Sequence, residues 1–78
     1  MSAGRREWSS DPHRRIAQLV HDLRTPLTVV EGFAQLLERE GAELDEKRRA
    51  EYVARIAQAS REMREILDAE REDRLSSA

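Results

Sequence analysis

His21 is the residue best placed by type and neighbours to do chemistry. Asp22 follows it directly, Arg24 lies three residues on, Thr25 one helical turn on and Thr28 two turns on. A histidine beside a carboxylate, with a hydroxyl one turn away, can relay protons or act as a nucleophile. Imidazole changes charge between about pH 5 and 8, so much of it is neutral at pH 7. Other chemistries are thin. The chain has no cysteine, hence no thiolate nucleophile, disulfide or Cys-based metal site. Its second histidine, His13, is eight residues away and has no partner pattern around it, so it reads as an ordinary surface residue. No set of residues calls for a bound metal. Pro26 is the other anomaly. It sits inside an apolar helical pattern, cannot donate to the carbonyl of Asp22, and costs about 3 kcal/mol in a regular helix. A proline kink one turn after an exposed histidine marks a locally broken rule, and such breaks concentrate at functional sites.

The elements that position His21 follow from the apolar spacing. Asp11-Pro12 is a helix start, with Asp as N-cap and Pro pre-set for the first helical position. From there Ile16, Leu23, Val30 and Leu37 fall seven apart, with Leu19 or Val20, Leu27, and Phe33 or Ala34 between them. This predicts a helix over about 12–40. With Ile16 as the first heptad position, His21 lies about 140° around from the seam, on the solvent side. Gly41 is the expected stop, residues 41–44 a short antiparallel connection, and Asp45 the cap of a second helix over about 45–74. Tyr52 or Val53, Ile56, Ala59, Met63, and Ile66 or Leu67 make its seam. Glu43–Lys47, Asp45–Arg49 and Glu51–Arg55 are i,i+4 pairs in the favourable order. Residues 68–74 put charges where the seam wants apolar groups and read as a solvated, fraying end. Residues 1–10 read as a flexible tail or linker, in which Trp8 has no assigned role, and 76–78 as tail.

Length and charge narrow the function. Seventy-eight residues make one small domain, 11–75, whose single-sided hairpin leaves an apolar flank wet. Two hairpins pair into an all-α, homodimeric four-helix bundle. Fourteen basic residues, of which Lys47 is the one lysine, are interspersed with sixteen acidic ones, for a net charge of −2. No basic face emerges, which argues against nucleic acid and against direct membrane contact. There is no signal-peptide core and no apolar run near the roughly 20 residues that cross a bilayer. The expected location is cytoplasmic, free or as the cytoplasmic part of a membrane-bound sensor.

The run His21-Asp22-Leu23-Arg24-Thr25-Pro26-Leu27 resembles the H-box of sensor histidine kinases, whose dimerisation and histidine-phosphotransfer domain is a homodimeric four-helix bundle. The resemblance is close over 16–37 and looser over 45–70. It implies that His21 is the phosphoacceptor, attacking the γ-phosphate of ATP held with Mg²⁺ by a separate ATP-binding domain. Asp22 matches the acidic neighbour that handles the proton of the other ring nitrogen, although the family more often has the longer Glu. Thr25 matches the residue that positions water for dephosphorylating the receiver in bifunctional members, Arg24 is expected to support phosphate charge or to pair with a nearby acid, and Pro26 matches the family kink. The phosphoryl group would pass to an aspartate on a response-regulator receiver domain, with Gln18, Thr28 and Ala59 as candidate rim contacts.

The chain has no Gly-rich nucleotide loop and is too short to contain an ATP-binding domain, so it is not expected to phosphorylate itself or to bind a cofactor. It reads as part of a sensor kinase. The alternatives are a free-standing phosphorelay module and a non-catalytic coiled-coil scaffold. The scaffold accounts for the heptads but not for Pro26 beside an exposed His-Asp pair. Whether phosphorylation runs within one subunit or between two depends on the handedness of residues 41–44, which spacing does not supply.

Overall fold

A computed structural model describes residues 7–76 as an antiparallel hairpin of two long helices, α1 (Pro12–Glu40) and α2 (Glu46–Ser76), joined by one 3₁₀ turn at Gly41–Glu43. The hairpin measures 52 × 24 × 19 Å. That length is what about 30 residues at 1.5 Å each, plus the turn, require. Among the described residues there is no strand, and no helix is long and apolar enough to cross a membrane.

Three short polar signals set the ends. Asp11 is extended, and its carboxylate accepts the His13 amide at 2.9 Å, with Pro12 opening the helix. Such a cap is worth about 1 kcal/mol. Gly41 adopts a positive φ of 48°, which a residue with a Cβ resists, and its amide donates to the Leu37 carbonyl. Asp45 accepts the Arg48 amide at 2.8 Å to start α2. None of the three i,i+4 pairs expected near this turn closes to ion-pair distance among the described residues. Two of the groups have local work instead: Asp45 is spent on its cap, and the Arg49 guanidinium donates to the Gly41 carbonyl at 2.9 Å.

The helices face each other along one stripe each. Phe33 meets Tyr52, ring centroids 5.3 Å apart, and Arg15 meets Glu70 at 2.8 Å. These pairs are 18 residues apart on both helices, about five turns, so the register is constant between them. Seven residues in from Phe33–Tyr52, the same register sets Pro26 level with Ala59, and both are buried. Leu19 is level with Ile66, which is only 2% exposed. Leu44 is buried beside the turn.

The predicted second seam matches: Ala59 and Ile66 are buried, Tyr52, Ile56 and Met63 half-buried, and Val53 and Leu67 face out. The first seam needs correction at Leu27, which is 45% exposed while Pro26 beside it is buried, and at its start. Ile16 is 62% exposed, and Arg15 takes the inward position. A straight helix turns 100° per residue, so Ile16 lies about 80° from Pro26 while Arg15 lies within about 20°.

The expectation for 68–74 also needs correction. α2 runs on to Ser76, and Glu70 is turned inward, its side chain 13% exposed, because Arg15 opposite supplies a charge partner. Of the segment expected as tail, residues 1–6 lie outside the described residues. Glu7–Ser10 are held against α1: Gln18 donates to the Glu7 carbonyl at 2.7 Å, and the Arg15 guanidinium lies 5.5 Å from the Trp8 ring centroid. Residues 77 and 78 lie outside the described residues, while Ser76 belongs to α2.

Candidate functional site: the exposed face of the first helix around His21

The stripe that meets α2 fixes where His21 must stand. Five residues before Pro26, it lies about 140° around α1 from the buried proline. It is exposed, as the sequence reading requires. Thr25 and Thr28 fall within about 40° of His21 on the same helix face, and both are exposed. Gly32 continues that face one turn beyond Thr28, and a Cβ placed on it would meet nothing within 4 Å. Toward the turn, the ground beside the imidazole is therefore open and low, built from Thr25, Thr28 and Gly32, while Gln18 and Arg24 are its larger neighbours on the adjoining turns.

Asp22 sits differently from His21. It is half-buried, about 100° around the helix, nearer the edge of the α2-facing stripe. Arg24 is exposed, and its carbonyl accepts the Thr28 hydroxyl at 2.9 Å, so that hydroxyl is turned back onto its own helix. α1 continues through Pro26 without interruption. The proline ring is absorbed on the hairpin side, where the small Ala59 stands level with it.

Two of the three candidate rim positions change meaning. Ala59 is 3% exposed and has no surface to offer. The Gln18 amide is committed to the Glu7 carbonyl and accepts weakly from the Ser9 amide at 3.4 Å. Thr28 is exposed. A cleft of about 120 Å³ between Val29 and Arg55, Gln58, Ala59 and Glu62 identifies one flank of the hairpin. The opposite flank carries Ile16, Val20 and Leu27 on α1 with Val53 and Leu67 on α2, all exposed.

The model of the His Kinase A (phospho-acceptor) domain matches residues 13–72. The chain belongs to this family. The match spans both helices and contains the whole run from His21 to Leu27, so the phospho-acceptor family is supported by the hairpin as well as by the motif. No curated protein and no solved structure matches the chain significantly.

What the heptad pattern missed in this phospho-acceptor domain is the cluster at the open end of the hairpin. There Arg15, 15% exposed, donates from Nε to Glu70 at 2.8 Å and from Nη2 to Asp73 at 2.7 Å. Hydrogen bonding from Arg15 holds the Glu70 carboxyl below its ordinary range; partial burial opposes this and Arg74, at 3.2 Å, assists it. The signal was present as an inward arginine mirrored by an acid across the turn, but it appears only once the register is known.

Proposed function

We propose that this chain is the dimerisation and phosphoacceptor module of a two-component sensor histidine kinase, with His21 as the residue that carries the phosphoryl group. The observation that carries the reading is the placement of His21. It stands on an exposed, unobstructed helix face, about 140° from the buried stripe, within a span that matches the phospho-acceptor family. An incoming nucleotide can reach it without disturbing the hairpin.

The chemistry is a phosphoryl transfer in two displacements. A neutral imidazole nitrogen of His21 directs its electron pair at the γ-phosphorus of ATP. That pair becomes the new N–P bond; the bond from the γ-phosphorus to the β,γ-bridging oxygen breaks, and ADP leaves with the electrons of the broken bond. The positive charge that develops on the ring is offset through its other nitrogen, whose proton Asp22 orients or accepts. ATP and Mg²⁺ would be held by a separate ATP-binding domain, and the metal would supply neutralisation of phosphate charge there. In the second displacement an aspartate carboxylate of a receiver domain takes the phosphoryl group and the N–P bond breaks. Thr25, exposed one turn from His21 on the same face, would orient the water that reverses the receiver's phosphorylation, and Arg24, also exposed, would support phosphate charge. Pro26 removes one helix hydrogen bond beside the reacting turn and eases bending there.

The flank formed by Ile16, Val20, Leu27, Val53 and Leu67 supports pairing of two hairpins into a four-helix bundle. Light scattering should give a dimer at micromolar concentration; a folded monomer there contradicts the pairing.

Incubation with ATP, Mg²⁺ and a histidine-kinase ATP-binding domain tests the phosphotransfer. The expected result is an acid-labile, base-stable label that disappears in His21→Ala and persists in His13→Ala. An unlabelled, folded dimer, with the ATP-binding domain proven active on another acceptor, contradicts the reading and favours the scaffold.

A further inference from the structure

Arg15 is bonded to two parts of the chain that are far apart in sequence. Toward α2 it uses Nε and Nη2, meeting the Glu70 and Asp73 carboxylates at 2.8 and 2.7 Å and the Glu70 carbonyl at 3.2 Å. Toward the segment before α1 it uses Nη1, donating to the Ser9 carbonyl at 3.1 Å, and its guanidinium lies over the Trp8 ring. The same segment is fixed further along by Gln18, through the Glu7 carbonyl and the Ser9 amide. Ser9 in turn accepts the Asp11 amide at 3.1 Å, which ties the segment into the helix cap. Trp8, Ser10 and Pro12 face Asp73 and Arg74 across an open cleft of about 530 Å³.

We propose that Glu7–Ser10 is a strap and Arg15 a latch, which together couple the segment preceding α1 to the last two turns of α2.

A guanidinium is a rigid planar fork whose N–H directions are fixed relative to one another. Its bonds to the Ser9 carbonyl and to the two carboxylates must therefore be made in one orientation. Displacing the strap turns the fork and misaligns the bonds to α2; displacing the end of α2 does the same to the strap.

The end of α2 is built to respond. From Asp68 to Ser76 its apolar residues are Ala69 and Leu75, and Leu75 is 57% exposed. Apolar packing does little to hold these turns. Glu70 and Asp73 are three residues apart on one helix face, where like charges destabilise the helix once the cation between them withdraws. Arg74 reaches Glu70 from the solvent side. With the latch open, the turns from Glu70 onward fall to the low-stability end of the molecule and open locally. The strap is also no continuation of α1, because Asp11 and Pro12 stop the helix there. A pull or release at the strap thus reaches α2 through a side chain rather than along a helix axis. This coupling is independent of the phosphotransfer reading: Gln18, three residues before His21, borders that face but its amide bonds to the strap, and Arg15, Glu70 and Asp73 lie along the stripe where the helices meet.

The experiment uses the whole chain and two readouts. Trp8 is the one tryptophan in the sequence, so acrylamide quenching of its fluorescence reports the strap alone. Amide hydrogen exchange over residues 70–76, with residues 52–59 as the internal reference, reports the end of α2. Coupling free energies between sites typically correspond to factors of about 5–150, and the coupling is reciprocal. Gln18→Ala, on the strap side, should speed exchange at 70–76 by about fivefold or more and leave 52–59 unchanged. The double variant Glu70→Gln, Asp73→Asn, on the α2 side, should raise quenching of Trp8 toward that of a free indole. Arg15→Lys keeps the charge but not the fork, and in that background Gln18→Ala should no longer change exchange at 70–76. The proposal is overturned if Trp8 quenching in the folded double variant equals that of the unmodified chain. It is equally overturned if Gln18→Ala leaves exchange at 70–76 unchanged, or changes it equally with and without Arg15.

Discussion

The two ends of this hairpin are closed by different forces. From the turn inward the helices meet through apolar groups: Leu44 under the turn, Phe33 against Tyr52, Pro26 level with Ala59, Leu19 level with Ile66. At the open end the same two stripes meet through charge, with Arg15 between Glu70 and Asp73 and Trp8 laid over the guanidinium. Apolar contact is indifferent to pH and weakly directional. An arginine fork is directional, depends on the ionisation of its partners, and breaks in discrete steps. The body of the hairpin is thus suited to hold His21 at a fixed place, and the open end to change state.

The contrast can be broken most severely in the body. Ile66→Ala removes the most buried large side chain and should destabilise the fold by about 2–5 kcal/mol, read as a lower urea midpoint at unchanged slope. A loss no larger than that of an exposed site such as Leu75→Ala would deny the body its role. Ala59→Leu adds volume level with the proline ring and should cost about 1–3 kcal/mol. Neutral stability in urea melts would mean that Pro26 has room to spare.

The pH dependence sharpens the difference between the ends. Glu70 is held below its ordinary carboxyl value of 4.5, first by the hydrogen bond from Arg15. A depressed carboxyl stabilises the folded state above its unfolded value, and that contribution is lost as pH falls through the folded value. The groups around it are Arg15, Asp73 and Arg74. Between pH 7 and 4.5 Trp8 emission should hold steady, then shift to the red on further acidification. Glu70→Gln should abolish the step, while ellipticity from the body changes little over the same range. A step that persists in Glu70→Gln would assign it to another carboxylate.

The smallest effect lies on the face of His21. Gly32 is in a helix interior with open space around it, so Gly32→Ala should stabilise the chain by about 0.5–1 kcal/mol, seen as a raised thermal midpoint. A lowered midpoint would mean that the position is filled in the assembled protein.

Much of the body was legible in the sequence. Asp11-Pro12, Gly41 and Asp45 are signals whose effect is local, and each sits where it acts. The second seam was legible because Ala59, Met63 and Ile66 are apolar and evenly spaced. The exposure of His21 followed from the same periodicity. The open end was not legible, for two physical reasons. Apolar periodicity passes over an inward-facing arginine and so points to Ile16 for the buried position that Arg15 holds. The bond between Arg15 and Glu70 spans 55 residues, and its register is fixed by a turn whose geometry spacing does not give. Trp8 gained its role only with Arg15 beneath it. Gln18, polar and near His21, has the look of a docking residue in the sequence; its amide is occupied by the backbone of the strap.

The central claim is that His21 carries the phosphoryl group, and phosphorus NMR of the phosphorylated chain tests it most directly. The account predicts a single phosphorus–nitrogen resonance that survives His13→Ala, is absent in His21→Ala, and is lost when a cognate receiver domain bearing its aspartate is added. A phosphate ester on serine or threonine, or a phosphorus–nitrogen signal that persists in His21→Ala, would contradict it.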